Sequence, residues 1–298
     1  MTIAPAFDWT TPRRAVDDAL AELSARETGS LHGPVADAIR YSLAGEGKRL
    51  RGVIFLAAYE AAGGTQDAAP LAAAIEVVHA YSLVHDDLPC MDDDDMRRGR
   101  PTVHRVFGVA AATAAGVAMV PLAARSAAAA ARALGCSDAV VGRVVEELMR
   151  ASGAGGMVGG QLLDLEGEGR PLTLAELERI HRAKTGALIT ACVHLGGLAA
   201  GAGVAQLAAL EAYGDRVGLA FQIADDVLDV TATTDQLGKT AGKDVAYRKS
   251  TYPALLGVDG AIARADALVA EACAALESAG LLTPALEFLA RFIIARRS

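Results

Sequence analysis

The sequence predicts an all-α fold, and three observations lead to that prediction. Apolar residues recur at three- and four-residue spacing through most of the 298 residues, which is the period of an amphipathic helix. Hydrophobic residues make up 52% of the chain but aromatic residues only 4%, and alanine, a strong helix former, is abundant. No convincing run alternates apolar and polar residues as a strand does. We therefore expect helices that pack closely on small side chains.

The predicted helices follow one another with short interruptions. Their ranges are 17–27, 35–43, 50–62, 69–84, 109–133, 138–151, 174–181, 186–200, 205–229, 261–279 and 284–295. Glycine and proline mark most of the interruptions, and Thr173 followed by Glu176 is the pattern of a capping box that opens a helix. No proline- or serine-rich linker separates the helices. We therefore predict a single domain over residues 1–298, with residues 1–15 disordered.

The charge balance and the cysteines narrow the function. The formal charge is −8, whereas non-specific binding of nucleic acid requires a basic surface. The four cysteines are far apart, and none has the spacing of a zinc ribbon or a disulfide framework. The first residues contain no apolar signal segment. We expect a cytoplasmic protein that binds no nucleic acid.

One uncharged stretch is long enough to cross a membrane. It covers residues 107–124 and runs directly into Arg125. Alanine and glycine dominate it, Pro121 lies inside it, and alanine contributes little to membrane insertion. We predict a buried helix at the centre of a bundle and no membrane span.

The strongest local feature is the first aspartate cluster, residues 86–95, which directly follows an apolar helix. Asp86 and Asp87 come first, Pro89 fixes the backbone, and four more aspartates occupy 92–95. A solvated acidic loop is the ordinary explanation of such a run. These acids, however, begin at the end of a helix, where they oppose its dipole, and crowded carboxylates repel unless cations neutralise them. Oxygen ligands suit a hard ion such as Mg²⁺.

The second aspartate cluster comprises Asp225, Asp226 and Asp229. Asp225 and Asp229 are one helical turn apart and share a face. Alone, this pattern occurs by chance on exposed helices. Two such clusters, each ending an apolar helix, are more specific, because a facing pair can hold several divalent ions.

Basic residues flank both clusters. They are Lys48, Arg51, Arg97, Arg98, Lys184, Lys239, Lys243 and Lys249. Each alone would be interpreted as an exposed base, but together they match phosphate oxygens, which bind lysine and arginine directly and Mg²⁺ through carboxylates. The sequence has no P-loop, nucleophile elbow or zinc-protease motif. We expect metal-assisted departure of a diphosphate rather than attack by a protein nucleophile.

These stretches resemble the trans-isoprenyl diphosphate synthases (the polyprenyl synthetase family), and within it the bacterial farnesyl diphosphate synthases. The matching stretches are GKRLR at 47–51, HAYSLVHDDLPCMDDDDMRRGRPT at 79–102, GGQLLDL at 159–165, KTGALI at 184–189, FQIADDVLD at 221–229, LGKTAGKD at 237–244 and KSTYPALLG at 249–257. They occur in the order of the family and cover about residues 35–298. The resemblance implies a bundle of long antiparallel helices around a deep central cavity, the isoprenoid synthase fold, in a homodimer.

The resemblance also implies roles for individual residues. Three Mg²⁺ ions bind with the diphosphate, and their ligands are Asp86, Asp92 and Asp225, with Asp87 and Asp229 in support. The allylic diphosphate is bound by Arg97, Lys184, Thr185, Gln222 and Lys239, with Lys249 nearby. Of these, Lys184, Thr185, Gln222 and Lys239 are the catalytic set. Isopentenyl diphosphate is bound by Lys48, Arg51, His79 and Arg98, and Arg296 closes over it. Gln161 and Asp164 orient metal-bound waters and lysines.

The implied reaction is ionisation, condensation and elimination. Diphosphate leaves the allylic substrate, the double bond of isopentenyl diphosphate attacks the cation, and a proton is lost. Product length depends on Tyr81 and Ser82, which precede Asp86 by five and four residues and lie about one helical turn deeper. An aromatic ring at that depth stops chain growth early, so we expect the fifteen-carbon product, farnesyl diphosphate.

The sequence departs from the family in three places. Val117 follows Gly116 where a Gly-Asp pair is usual, Val109 stands where an acid is common, and Gly52 stands where proline is usual. Val117 puts the rate and the product length in question more than the reaction. Geranylgeranyl diphosphate synthase is the nearest alternative. A class I terpene cyclase normally has an Asn/Ser/Glu second motif, and a non-catalytic subunit would be expected to lose acids from one cluster.

Overall fold

The computed structural model describes residues 7–231 and 250–295, and these are helical almost throughout. The helices are α1 (Thr10–Thr28), α2 (Pro34–Leu43), α3 (Leu50–Ala61), α4 (Ala69–Asp86), α5 (Val103–Phe107), α6 (Val109–Ala133), α7 (Asp138–Ser152), α8 (Met157–Gly167), α9 (Leu174–His181), α10 (Ala187–Ala200), α11 (Val204–Thr231), α12 (Tyr252–Ser278) and α13 (Pro284–Ala295). A two-residue antiparallel pair joins β1 (Met96–Arg97) to β2 (Arg100–Pro101). The all-α prediction is confirmed.

The chain forms two compact units. Among the described residues, the N-terminal unit comprises residues 8–56 and 65–145, and the C-terminal unit comprises Phe7 and residues 57–64, 146–231 and 250–295. Helices α3 and α7 contain points at which the chain passes from one unit to the other. Each unit is described by itself below, and the single domain over 1–298 stays a prediction.

Helix α4 is the core of the N-terminal unit, with α1, α2 and α6 packed on it. Its residues are apolar on every side, and most of them are buried, as expected of a helix surrounded by other helices. Helix α6 approaches it closely at Gly116, where an added Cβ would lie 2.0 Å from Nε2 of His85. This close contact places the end of α4, and with it the first aspartate cluster, against a fixed support.

The expectation that the 107–124 stretch is buried on all sides is wrong. One face of α6 packs on α4 and is buried, including Ala112, Ala115 and Met119, whereas the side chains of Val109 and Val117 are 47% and 61% exposed. The helix has an apolar sequence all round, but only one of its faces is buried. Two helical stretches of the described residues, Val109–Ala133 and Leu174–Ala200, are long and apolar enough to cross a bilayer.

Helix α11 is the core of the C-terminal unit, with α10, α12 and α13 packed on it. Between α9 and α10 the chain forms one turn of π-helix, Arg182–Gly186, which also packs on α8 and α11. Gly160 of α8 and Gly218 of α11 allow the π-helical turn to pack this closely on both helices. An added Cβ would lie 2.1 Å from the Lys184 nitrogen at Gly160 and 2.7 Å from the Gly186 Cα at Gly218.

Two helix starts differ from the prediction. Residues 10–15, expected to be disordered, belong to α1, because a carboxylate oxygen of Asp8 accepts the Thr10 N–H at 2.9 Å and so caps the helix. Helix α12 begins at Tyr252 rather than at 261, since the Thr251 side chain caps it. Gly257, with φ of 73°, interrupts its first turns, which is why the helical period starts late in the sequence.

Candidate active site

The first aspartate cluster folds back onto the end of α4. Asp86 is the last residue of this helix, and its carbonyl oxygen accepts the N–H of Asp92 at 2.9 Å. The carbonyl of Leu88 accepts the N–H of Asp93 at 3.2 Å, and Asp93 adopts the left-handed conformation with φ of 47°. The loop therefore brings Asp86 and Asp92, the two predicted metal ligands of this cluster, next to each other.

Asp87, which was predicted to support the metal ligands, is bound to Arg97. The Arg97 Nε donates to a buried carboxylate oxygen of Asp87 at 2.6 Å, and Asp94 lies 3.5 Å from the same guanidinium. Burial raises the pKa of Asp87, while the hydrogen bond from Arg97 opposes that rise. Burial alone would lower the pKa of Arg97, but the bond to Asp87 raises it. Two residues predicted to bind different ligands thus bind each other in this structure.

A tight turn directs Arg98 toward the loop before α3. Arg98 and Gly99, between β1 and β2, both have positive φ, of 53° and 73°. The Arg98 Nη1 donates to the Glu46 carbonyl at 2.8 Å. Gly47 is needed beside it, because an added Cβ would lie 2.6 Å from Nη1 of Arg98 and 3.3 Å from Nη1 of Arg49.

These residues surround a basic pocket in the N-terminal unit. The basic side chains that line it are His79, Arg49, Arg97, Arg98 and Arg100. A pocket with so many cations suits a ligand with several negative charges, such as a diphosphate.

The pKa of His79 reflects the positive charge of this pocket. Burial lowers its pKa well below the usual value, and Arg51, Arg98, Arg97 and Arg49 lower it further. Its Nδ1 is buried and has no hydrogen-bond partner in the structure. Buried polar atoms are normally paired, so this nitrogen fits a bound ligand or water.

The predicted isopentenyl diphosphate residues are only partly brought together. His79 and Arg98 line the basic pocket. Lys48 is exposed, Arg51 is half-buried at the start of α3, and Arg296 lies outside the described residues. Arg49 lines the pocket although its role was not predicted, and its position inside the GKRLR run is the signal that points to it.

Tyr81 and Ser82 lie on α4, one turn before the first aspartate cluster. Tyr81 is buried, and its ring meets the His85 ring edge-on with the centroids 5.5 Å apart. Burial raises the pKa of Tyr81, and the charge of Asp86 raises it further. The hydroxyl of Ser82 donates to the His79 carbonyl at 2.9 Å. The predicted length-determining ring is therefore held in place by its neighbour on the same helix.

The second aspartate cluster lies near the C-terminal end of α11. Asp229 is buried, and its Oδ2 has no hydrogen-bond partner in the structure. Asp226, which was given no role, accepts the Tyr252 N–H at 2.9 Å and lies 3.4 Å from Nε2 of His181. The His181 ring stacks on Tyr252. Asp226 therefore anchors the start of α12, whereas Asp229 retains an oxygen suited to a cation.

The π-helical turn carries two predicted catalytic residues, Lys184 and Thr185. The Lys184 Nζ donates to Oδ2 of Asp164 on α8 at 2.6 Å, and Thr185 is buried. Gln161, one turn before Asp164, is 8% exposed, and neither atom of its amide has a partner in the structure. Single π turns inside helices often occur at functional sites, and the unpaired amide of Gln161 fits that use.

The remaining predicted residues are three lysines that follow the second aspartate cluster, and Gln222. Lys239 and Lys249 lie outside the described residues, as does Lys243. Gln222, on α11, is half-buried one turn before Asp226.

The acidic residues fit Mg²⁺ better as partners of a diphosphate than as a complete metal site. Among the described residues, no group of three or more Asp, Glu, His or Cys side chains is arranged to hold a metal ion. The carboxylates of Asp86, Asp92 and Asp229 are hard oxygen ligands of the kind Mg²⁺ prefers, and Mg²⁺ commonly combines one or two carboxylates with substrate phosphates and water. Each cluster by itself therefore offers carboxylates that fit Mg²⁺ arriving with the substrate.

Comparison with known proteins identifies the family. The family model described as polyprenyl synthetase matches residues 33–289. The chain is 48% identical over 270 residues to the farnesyl diphosphate synthase of Escherichia coli, covering 88% of this chain and 89% of the relative. It is 45% identical over 248 residues to a chloroplastic geranylgeranyl pyrophosphate synthase of Catharanthus roseus, covering 83% of this chain and 67% of the relative.

A solved structure agrees with the sequence relatives. The geranyltransferase of Helicobacter pylori, complexed with magnesium and isoprenyl diphosphate, superposes with a TM-score of 0.78 at 28% identity, covering 98% of both chains. The residues matched by the family model, 33–289, span both aspartate clusters, the basic pocket and the π-helical turn. The chain belongs to the polyprenyl synthetase family of prenyltransferases.

Proposed function

We propose that this prenyltransferase condenses isopentenyl diphosphate with dimethylallyl or geranyl diphosphate to give trans-farnesyl diphosphate and free diphosphate. The observation that carries this proposal is the presence of two aspartate clusters and a basic pocket in a chain 48% identical to a farnesyl diphosphate synthase. The basic pocket of the N-terminal unit takes isopentenyl diphosphate, with His79 and Arg98 as its described ligands. Lys48, Arg51 and Arg296 complete this set.

Both aspartate clusters serve the allylic diphosphate. When bound to Asp86, Asp92 and Asp225, with Asp87 and Asp229 in support, Mg²⁺ supplies charge neutralisation for the departing diphosphate, and three ions are the expected number. Lys184, Thr185, Gln222 and Lys239 hold the phosphate oxygens, with Arg97 and Lys249. Asp164 holds the Lys184 ammonium at 2.6 Å and so keeps it oriented.

The reaction then needs three events. The C–O bond of the allylic diphosphate breaks, and both electrons leave with the diphosphate. The double bond of isopentenyl diphosphate attacks the allylic cation, and the departing diphosphate takes the proton whose loss restores a double bond. The chain's part is to orient the two diphosphates and to exclude water, which would otherwise quench the cation. No side chain is needed as a nucleophile.

Farnesyl diphosphate is the expected product because Tyr81 is buried one turn before Asp86 and blocks further growth. Geranylgeranyl diphosphate is the second candidate, since the chain is also 45% identical to a geranylgeranyl pyrophosphate synthase. The two products differ by one isopentenyl unit, so a direct product analysis separates them.

The remaining expectations concern assembly and location. We propose a homodimer whose partner covers the exposed apolar face of α6, where Val109 and Val117 are exposed. A partner there would remove an apolar face from water, which is the usual driving force of stable association. We also propose that both units belong to one polyprenyl synthetase domain and that the protein is cytoplasmic.

The test is incubation of purified protein with isopentenyl diphosphate, Mg²⁺ and each allylic primer in turn, followed by chromatography of the products. We expect farnesyl diphosphate from dimethylallyl and from geranyl diphosphate, and no product after chelation of the metal. Accumulation of the twenty-carbon product would favour the geranylgeranyl synthase. Absence of diphosphate release with every primer would contradict the enzyme assignment.

A further inference from the structure

Glu76 is a buried acidic residue that the reaction described above does not use. It lies on α4, its side chain is 3% exposed, and it lines the basic pocket. An ionised carboxylate is costly to bury unless it is hydrogen-bonded or paired with a positive charge. The buried Glu76 carboxylate therefore needs hydrogen-bond donors or positive charges close to it.

Its first partner is the backbone of α3. The N–H of Gly52 donates to Oε1 of Glu76 at 2.9 Å. Gly52 lies in the first turn of α3, where N–H groups have no partner within the helix and the helix dipole favours a negative charge. This N–H belongs to the peptide that links Arg51 to Gly52, so the bond fixes the backbone that carries Arg51.

This contact depends on the residue that distinguishes the chain from its family pattern. Proline, which is usual at position 52, has no N–H and could not make the bond. Glycine also allows α1 to approach, because an added Cβ would lie 2.9 Å from Cγ1 of Val16. The contact between Glu76 and Gly52 is thus a property of this sequence.

Its second partner is the charge of the basic pocket. Burial lowers the pKa of Arg98, and the charge of Glu76 opposes that effect while Arg49, Arg97 and Arg51 add to it. His79, three residues after Glu76, lies on the same face of α4 and lines the same pocket. The negative charge of Glu76 therefore offsets part of the repulsion among the arginines of the pocket.

We propose that Glu76 is a positioning residue for isopentenyl diphosphate, which fixes the first turn of α3, and with it the backbone that carries Arg51, before the substrate binds. The inference rests on the proposed assignment of the basic pocket to that substrate. The proposal predicts the direction in which the KM for isopentenyl diphosphate changes when the carboxylate is removed. A carboxylate that merely sits in an anion pocket repels the diphosphate, so its removal would lower the KM for isopentenyl diphosphate. A positioning carboxylate has the opposite effect.

The experiment compares Glu76→Gln and Glu76→Ala with the wild-type enzyme. Glutamine retains an oxygen for the Gly52 N–H but not the charge, and alanine removes both. We expect the KM for isopentenyl diphosphate to rise about threefold in Glu76→Gln and about tenfold in Glu76→Ala. We expect the KM for geranyl diphosphate and the kcat at saturation to stay within about twofold of the wild type in both variants. A lower or unchanged KM for isopentenyl diphosphate would overturn the proposal.

Two controls separate the alternatives. Val16→Ala loosens the packing on the other side of Gly52 without touching the pocket, and it should lower the melting temperature with no change in either KM. If Val16→Ala raises the KM for isopentenyl diphosphate as much as Glu76→Ala does, general loosening explains the effect and the proposal fails. Arg98→Gln tests the pocket itself. An unchanged KM for isopentenyl diphosphate in that variant would overturn the pocket assignment, whereas a raised KM there with no effect of Glu76→Gln and Glu76→Ala would overturn only the role of Glu76.

Discussion

At the scale of single residues, three candidate site residues carry buried polar atoms with no hydrogen-bond partner among the described residues, as do residues elsewhere such as Ser126 and His194. Nδ1 of His79, the side-chain amide of Gln161 and Oδ2 of Asp229 are buried without a hydrogen-bond partner in the structure. Leaving such groups unpaired costs about 1–3 kcal/mol each. All three residues were singled out from the sequence for diphosphate or metal binding. Their unpaired state is therefore explained if the bound substrate completes their hydrogen bonds.

The depressed pKa of His79 predicts a pH dependence of stability. Because its pKa is lower in the folded than in the unfolded protein, folding favours the neutral ring. The contribution is present above the ordinary pKa of 6.5 and is lost as the pH falls toward the folded value. We expect His79→Gln to reduce the loss of unfolding free energy between pH 7.5 and pH 5, by an amount on the order of 1 kcal/mol. Urea denaturation at both pH values measures it.

The control for that prediction is His32→Gln, which alters an exposed histidine of the same unit. It should leave the pH dependence as in the wild type. Equal slopes for the wild type and His79→Gln would contradict the assignment of a neutral, buried His79.

Tyr81 predicts the length of the product. Tyr81→Ala removes a buried ring that lies about 7.5 Å along α4 from Asp86. We expect products of twenty carbons or more, and a loss of stability of about 3 kcal/mol from the space left by the ring. Tyr81→Phe retains the ring and should still release farnesyl diphosphate. Chromatography of the products measures both variants, and a fifteen-carbon product from Tyr81→Ala would show that Tyr81 is ordinary core packing.

Some site residues could be predicted from sequence spacing and others could not. Asp86, Asp92, Lys184 and Asp229 belong to short runs whose chemistry is visible in the sequence. Glu76 lies within an apolar helix, and its partner Gly52 is 24 residues away. Only the packing of α3 against α4 brings them together. Contacts of this kind are not encoded in local spacing, which is why the sequence gives them no signal.

At the scale of elements, the π-helical turn places Lys184 and Thr185, and Gly160 makes room for it. Gly160→Ala would place a Cβ 2.1 Å from the Lys184 nitrogen and 2.5 Å from its Cα, and backbone atoms cannot move aside as a flexible side chain would. We expect a loss of about 1–3 kcal/mol in stability, the usual cost of overpacking, and at least a tenfold lower kcat. Thermal unfolding and steady-state kinetics measure the two effects.

Gly142→Ala is a matched control for this substitution. Gly142 is an exposed helical glycine in α7, and an added Cβ there would meet nothing within 4 Å. Alanine should stabilise that helix by roughly 0.5–1 kcal/mol and leave kcat unchanged. If Gly160→Ala behaves like Gly142→Ala, the π-helical turn does not depend on close packing against α8.

The helix bounds show what periodicity can and cannot predict. The predicted ranges 109–133, 174–181 and 284–295 agree with α6, α9 and α13 residue for residue. The start of α1 was missed because Asp8 caps it from outside the apolar pattern, and helix α8 because five glycines occur within residues 153–160. The π-helical turn could not be predicted, since it results from tertiary packing on Gly160 and Gly218 rather than from local propensity.

At the scale of the whole molecule, a chain of net charge −8 binds substrates that are themselves polyanions. The N-terminal unit resolves part of this conflict, because its basic pocket collects four arginines in one place. The aspartate clusters resolve the rest through divalent cations, which reverse the local sign of the charge. The net charge of the chain therefore does not predict its ligand preference, whereas the distribution of the charges does.

Because the acidic side chains of the described residues do not converge into a complete metal site, we predict that Mg²⁺ stabilises the protein only together with diphosphate. Mg²⁺ alone finds too few converging ligands, and diphosphate alone is repelled by the aspartate clusters and is left with the basic pocket. We expect little change in melting temperature with Mg²⁺ alone. Mg²⁺ with inorganic pyrophosphate at about 100 times the dissociation constant should add about 2.7 kcal/mol of stability. Asp229→Asn, which neutralises a buried carboxylate with an unpaired oxygen, should abolish most of this gain, and chelation should reverse it in the wild type. Full stabilisation by Mg²⁺ alone would mean that the aspartate clusters form a complete metal site before the substrate arrives.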